Sequence, residues 1–214
     1  MTVAEYLERR WDTVLELTIQ HLVAVAIAVG VATVVGVALA IAVYRNDRAV
    51  TALLIVTSVL FTVPALAYFG ALLAILGLGW TPAIAVLVIY ALLPIVRNTV
   101  TGLREVDPAI VRAATGMGMG RWSRLVRIEL PLAYPVIISG VRVSTVLIVG
   151  IAAIGAWISG PGLGAELFSG IGAYPSARAE PQIIVGTVGI VFVALVLDAL
   201  LGLLTRLTTS RGLQ

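Results

Sequence analysis

The sequence predicts an all-α integral membrane protein with about five transmembrane helices. Composition is the first observation: 60% of the 214 residues are hydrophobic and only 12% are charged. Mean hydropathy is +1.10, far from the average of soluble domains. The second is clustering, since Leu17–Tyr44, Ala49–Val96, Val143–Ala165 and Pro181–Leu197 contain no Asp, Glu, Lys or Arg. The third is the arginines, which sit between these apolar runs rather than on one basic face. That pattern fits retention at a membrane surface and gives no reason to expect a nucleic-acid partner.

Five spans follow in order, at about 18–44, 50–76, 81–98, 132–157 and 181–205, within one membrane domain covering 1–214. The first lies behind a mixture of Glu5, Glu8, Arg9, Arg10, Asp12 and Glu16 and exceeds the apolar core of a signal peptide. It is therefore expected to be a retained span rather than a cleaved leader. The uncharged stretch Ala49–Val96 holds two spans. As one helix it would measure roughly 70 Å against a hydrocarbon core of roughly 30 Å. Gly77-Leu-Gly-Trp-Thr-Pro82 supplies the break, with Trp80 suited to an interface. A cytoplasmic loop over about 99–131 precedes span four, and an outer segment Ser159–Glu180 separates spans four and five.

Orientation comes from the arginines. Arg45, Arg48, Arg97, Arg104, Arg112, Arg121, Arg124, Arg127, Arg206 and Arg211 fall on one side. Arg9, Arg10 and Arg178 fall on the other, and Arg142 lies inside span four. The larger group is expected in the cytoplasm of a cell membrane, leaving the N-terminus outside and the C-terminus inside. Pro64, Pro94 and Pro135 and glycines such as Gly36, Gly140, Gly150, Gly155, Gly186 and Gly189 fall in the spans. They admit two readings, kinked and closely packed helices or helices that flex during a functional cycle.

The absences exclude whole classes of chemistry. No Cys is present, which removes disulfides and thiolate metal sites, and His21 is the one histidine. No Lys is present, so a Walker A phosphate loop cannot be written and this chain is not expected to hydrolyse nucleotide. An intramembrane enzyme would need a nucleophile with a base or a metal cluster, and neither is visible. An ion-coupled secondary carrier is a second rival. Five spans without an internal repeat, and Asp198 as the single acid inside them, give it little support.

The loop reads as a short surface helix. Asp107 suits an N-cap and Pro108 the first helical position. Val106, Ile110, Ala113, Ala114 and Met117 recur at helical spacing and form an apolar face. Gly116, Gly118 and Gly120 end the helix and permit close backbone approach. An amphipathic helix outside the spans can lie on lipid or dock into a groove of another protein.

These residues resemble a signature of the permease subunits of ABC importers, E-A-A-x3-G-x9-I-x-L-P. Arg112-Ala113-Ala114 is followed at the matching gaps by Gly118, Ile128, Leu130 and Pro131. Further stretches are similar to the glycine betaine, choline and carnitine branch: Thr62–Leu66, Tyr90–Asn98, Gly116–Met119, Glu129–Leu132 and Gly160–Gly164. The likeness covers nearly the whole chain, while methionine and ergothioneine importers share the scaffold and stay open. The departure is Arg112, where the family usually has Glu. Either an acidic partner residue faces it, or it is a solvated position, or a sister chain keeps the acid.

The resemblance implies a type I importer with two permease chains, identical or sister, two cytoplasmic ATPase subunits and an external binding protein. It places ATP and Mg on the ATPase and no cofactor on this chain. ATP-driven closure would move the Asp107–Met117 helix as a lever and switch access from inside to outside. A quaternary ammonium is held well by aromatic faces, and Phe61, Tyr90 and Trp157 lie in spans where they would meet one, unless they only pack or face lipid. Arg142 and Asp198 are ionisable groups inside spans and need partners. Arg142 is expected to snorkel or to pair with Asp198, Asp198 to face Arg142 or Arg206, and a gating role is the alternative.

Overall fold

The computed structural model describes residues 1–208, with side chains through Arg206, so Arg211 lies outside the described residues. Every regular element among them is helical: α1 Val3–Val43, α2 Asp47–Thr62, α3 Ala65–Leu76, α4 Trp80–Arg104 and α5 Pro108–Gly116. Then come α6 Arg121–Arg124, a π-turn Leu125–Glu129, α7 Leu130–Ile154, a 3-10 turn Gly155–Ile158, α8 Gly164–Gly172 and α9 Ala179–Thr208. Four helical segments are long and apolar enough to cross a membrane: α1, α4, the rod Arg121–Ile158, and Ala179–Arg206. The pair α2 and α3 adds a fifth if the two count as one broken span.

Three boundaries differ from the sequence expectation. The helix of the first span begins at Val3, not near residue 18. Thr2 and Glu5 form a reciprocal capping box at 3.2 and 3.1 Å, which starts the helix inside the charged segment. Its 41 residues measure roughly 60 Å, about twice a bilayer core. Second, no straight helix covers 50–76, because α2 and α3 meet at 91°. Val63 is extended and Pro64 lacks the N–H that would continue the ladder. Two tyrosines satisfy carbonyls that the break exposes: Tyr68 donates to Leu60 at 2.8 Å and Tyr90 donates to Val63. Third, the loop expected at 99–131 shrinks to 105–120, since α4 runs on to Arg104 and α6 joins α7 through the π-turn.

Helix α4 is the centre of the bundle and packs chiefly against α1 and α7. The α1 contact is made by small residues one turn apart, Ala24, Ala28, Ala32, Gly36 and Ala40, all buried. Without a hydrophobic drive between helices in lipid, such stripes let backbones approach and gain dispersion contact. A Cβ on Gly36 would sit 2.9 Å from Ile95 Cγ2. The α4–α7 approach is closer: a Cβ on Gly140 would lie 2.6 Å from Asn98 Cβ and 2.8 Å from the Pro94 carbonyl oxygen. Ser144 donates across the same seam to the Ala91 carbonyl at 2.8 Å. Val86, Leu87, Ile95, Ile148 and Val149 fill the core between these helices.

The end of the bundle away from most arginines is closed by α8. Its Glu166 is 2% exposed and accepts from Tyr6 and, at 3.3 Å, from Arg10, both on α1. His21 is fully buried nearby, with Nε2 3.1 Å from the Val149 carbonyl. Gly162 packs on its ring so closely that a Cβ would lie 2.6 Å from Nδ1. His21 is thereby a packing residue enclosed by α7 and the turn before α8.

Candidate functional site

The surface helix α5 starts where its sequence dictates. The Asp107 carboxylate accepts from the Ala109 N–H at 2.7 Å, and Pro108 opens the helix without wasting a donor. At the other end the Met119 N–H reaches the Ala114 carbonyl at 3.1 Å, while the Gly118 N–H reaches Thr115 at 3.0 Å. This pair of bonds is a Schellman ending, and it sets Gly118 at φ +82. No Cβ is tolerated there without strain, which is the physical reason for a glycine at that motif position.

The expected apolar face is divided by the fold. Val106 and Ala114 are buried against the chain itself, at 9% and 1% exposure. Ile110, Ala113 and Met117 point outward, with Arg112 beside them, and Trp122 adds an exposed indole. Pro131 is exposed, whereas Ile128 and Leu130 are half-buried. Helix α5 thus turns Ala114 inward and leaves an apolar and cationic face exposed, the kind of surface an amphipathic helix uses for docking.

A buried carboxylate links α5 to the spans, and sequence reasoning did not single it out. Glu129, 3% exposed in the π-turn, accepts from Tyr44 at 2.6 Å, Arg45 at 2.9 Å and Arg124 at 2.9 Å. Arg124 also donates to the Thr115 hydroxyl at 2.7 Å, and that hydroxyl donates to the Val111 carbonyl at 2.8 Å. Arg104 at the end of α4 donates to the Tyr44 carbonyl at 2.8 Å and pairs with Asp47 at 2.8 Å. One connected network therefore runs from the middle of α5 through Arg124 and Glu129 to the ends of α1 and α4 and the start of α7. A π-turn presents Glu129 inward while its neighbours Val126 and Arg127 stay exposed. The signal in the sequence was an acid inside Ile128-Glu129-Leu130-Pro131, bordering a span and flanked by arginines.

The aromatic candidates do not form one cage. Phe61 and Tyr90 meet edge-on at 5.6 Å, and Tyr68 joins at 5.9 Å. Tyr90 is only 7% exposed, and its hydroxyl is committed to the Val63 carbonyl at the α2–α3 break. Trp157 is exposed and pairs with Phe168 at 5.6 Å instead. Arg142 and Asp198 form a two-pronged pair, Nε to Oδ1 at 3.0 Å and Nη2 to Oδ2 at 2.8 Å. Among the described residues, no group of three or more His, Cys, Asp or Glu is placed to hold a metal.

The model of the family described as binding-protein-dependent transport system inner membrane component matches residues 32–210. The chain belongs to this family. It is an inner-membrane, multi-pass component of such a transport system, a membrane subunit. Among curated relatives, the glycine betaine/carnitine/choline transport system permease protein OpuCB of Bacillus subtilis is 34% identical over 98% of this chain and 94% of its own. The osmoprotectant import permease protein OsmW of Salmonella typhimurium is 37% identical, covering 92% and 93%. Among solved structures, an inward-facing form of the MetNI methionine ABC transporter aligns at a TM-score of 0.81. It covers 95% of this chain and 99% of that one at 18% identity, a likeness of fold. The type I importer permease fold and the family expected from the Arg112–Pro131 spacing are thus established for this transport-system component.

Proposed function

We propose that this permease serves an ATP-driven importer of a small quaternary-ammonium osmoprotectant. One observation carries the mechanism. Helix α5 is rigidly capped, offers Ile110, Ala113 and Met117 outward, and is wired through Thr115, Arg124 and Glu129 into α1, α4 and α7. A force applied to its outer face has a hydrogen-bonded route into the spanning helices. A separate ATPase that binds ATP and Mg supplies that force, gripping α5 in the cytoplasm, with the N-terminus outside. The complete importer holds two permease chains, alike or sister, two ATPases and an external binding protein. This chain itself binds no cofactor.

ATP drives the cycle only if the ATPase contacts α5 differently in its open and closed states, so that one access state of the permease is favoured over the other. The coupling positions are Asp107, Pro108, Arg112, Ala113, Ala114, Gly116, Met117, Gly118, Ile128, Leu130 and Pro131, around the Glu129 network. The substrate class rests on the relatives, whose names specify glycine betaine, carnitine and choline. The test is uptake by proteoliposomes holding the assembled transporter, with labelled glycine betaine, choline, methionine and ergothioneine. ATP-dependent accumulation of the first two supports the reading. Uptake that follows an ion gradient and ignores ATP, or that is selective for methionine, overturns it. Gly118→Asp is expected to insert normally and abolish ATP-dependent uptake.

A further inference from the structure

The Arg142–Asp198 pair sits where charge is least welcome. Arg142 lies twelve residues into α7 from Leu130, roughly 18 Å along the helix and so deep within a hydrocarbon core of roughly 30 Å. Its partner Asp198 follows the uncharged run Pro181–Leu197 of α9. Yet the two side chains are 38% and 39% exposed. A half-exposed ion pair facing lipid tails would lose hydration without replacement.

The rest of the outward surface at comparable depth is apolar, Val143, Val146 and Leu195 beside the pair included. On α1 it is Val31, Val34, Val35 and Leu39, and on α2 Ile55, Val56 and Val59, all exposed and apolar as lipid demands. On the α7–α9 face, two grooves of about 490 and 430 Å³ flank the ion pair. One is lined by Gly202, Thr205 and Arg206 toward the arginine-rich end, the other by Ser139, Val143 and Val146. Asp198, Gly202 and Arg206 are spaced one turn apart, so the pair's Asp198 and a second arginine share one face of α9. The guanidinium packs against Gly202, its Nη2 at 3.5 Å from a Cβ position there, ordinary van der Waals contact.

We propose that the Arg142–Asp198 pair lines the translocation path and contacts the cargo, taking a zwitterion with its carboxylate on Arg142 and its fixed cation beside Asp198. This rests on the permease reading above and adds to it a specificity site within the membrane. The chemistry matches group by group. A quaternary ammonium has no N–H to donate, so it asks only for a nearby anion, whereas a carboxylate is suited to the planar fork of arginine. A zwitterion exchanges the one internal pair for two external ones while net charge at the site stays zero. Contact of this kind is reversible, as a path that must release its cargo requires. A simple cation such as choline satisfies Asp198 alone and leaves Arg142 without its counter-ion.

The test uses the assembled transporter in proteoliposomes, with glycine betaine as the zwitterion and choline as the cation. Arg142→Gln is expected to lower the ratio of glycine betaine to choline uptake about tenfold relative to wild type, at equal yield of assembled complex. Arg142→Lys, which keeps the charge but not the fork, is expected to fall between. Equal loss of both substrates, or no change in the ratio, overturns the proposal and leaves the pair a structural clasp. The chain has no cysteine, so Val143→Cys provides a second readout that does not need the pair altered. A charged, water-soluble thiol reagent should label it, and glycine betaine should protect it. Absence of labelling, or labelling that glycine betaine leaves unchanged, overturns the proposal even if the Arg142 variants do not assemble. A wild type that imports neither compound defeats the osmoprotectant reading instead, and the labelling by reagent alone then decides whether this face is a water-filled path.

Discussion

Replacing Glu129 by Ala removes the acceptor at the centre of the arginine-rich end. Three donors lose their partner: the Tyr44 hydroxyl at 2.6 Å, Arg45 at 2.9 Å and Arg124 at 2.9 Å. They do not count equally. The Arg124 side chain is 12% exposed and is stranded when the carboxylate goes, while Arg45 at 32% turns partly to water and contributes less. Breaking a buried charge pair by removing one partner costs about 3–5 kcal/mol. The buried Tyr44 hydroxyl adds about 1 kcal/mol when orphaned. For a chain of this length about 1 kcal/mol moves Tm by about 2–4 °C, so the purified permease should lose on the order of 10 °C. Glu129→Gln keeps one acceptor oxygen without the charge and should lose about half as much. The assay is thermal unfolding in mild detergent, followed in a double-mutant cycle with Arg124→Ala, where the two losses should be strongly non-additive. A Glu129→Ala protein melting within about 2 °C of wild type, or additive losses in the cycle, would refute the idea that this carboxylate organises the site.

Other substitutions test other joints. Gly164→Ala places a Cβ 2.0 Å from the Ala153 carbonyl oxygen, a backbone contact that cannot rotate away. Stability should fall by about 3 kcal/mol or more, read as lost monodisperse protein on size exclusion after heating. Asp107→Ala removes the cap of a nine-residue helix and should cost α5 about 1 kcal/mol, seen as faster hydrogen exchange at residues 109–111 with the spans unaffected. Gly118→Ala forces a side chain into φ +82 and should weaken the α5 ending by about 1 kcal/mol, lowering ATP-dependent uptake less severely than Gly118→Asp. Tyr90→Phe leaves the Val63 carbonyl unsatisfied at the α2–α3 break and should destabilise by about 1–2 kcal/mol, measured as a lower Tm without any change in substrate preference.

What the sequence displayed most openly was solvation. Uncharged runs such as Leu17–Tyr44 and Pro181–Leu197 have one environment that suits them, so the existence of spans was legible without any contact being known. The start and stop of α5 were legible too, because Asp107, Pro108 and Gly118 act through bonds to residues a few positions away. The 91° turn at Pro64 was not, since a proline alone is compatible with a mild kink. Its depth depends on Tyr68 and Tyr90 reaching carbonyls of other turns. Glu129 escaped for a similar reason. An acid beside a span reads as an interfacial charge until Tyr44, about 85 residues away in sequence, is seen to meet it. The divided face of α5 shows the same limit, for helical spacing groups Ala114 with Ile110 and Met117, while packing sends them in opposite directions.

Helix α1 is fastened near both of its ends to a buried acid on another element. Tyr6 and Arg10 hold Glu166 at one extremity, and Tyr44 and Arg45 hold Glu129 at the other. A strut strapped twice, with tyrosine and arginine at each buckle, has both extremities tied to the elements that carry the acids. One helix therefore joins the surroundings of Glu129 to those of Glu166 at the opposite end of the bundle without a break in its backbone ladder.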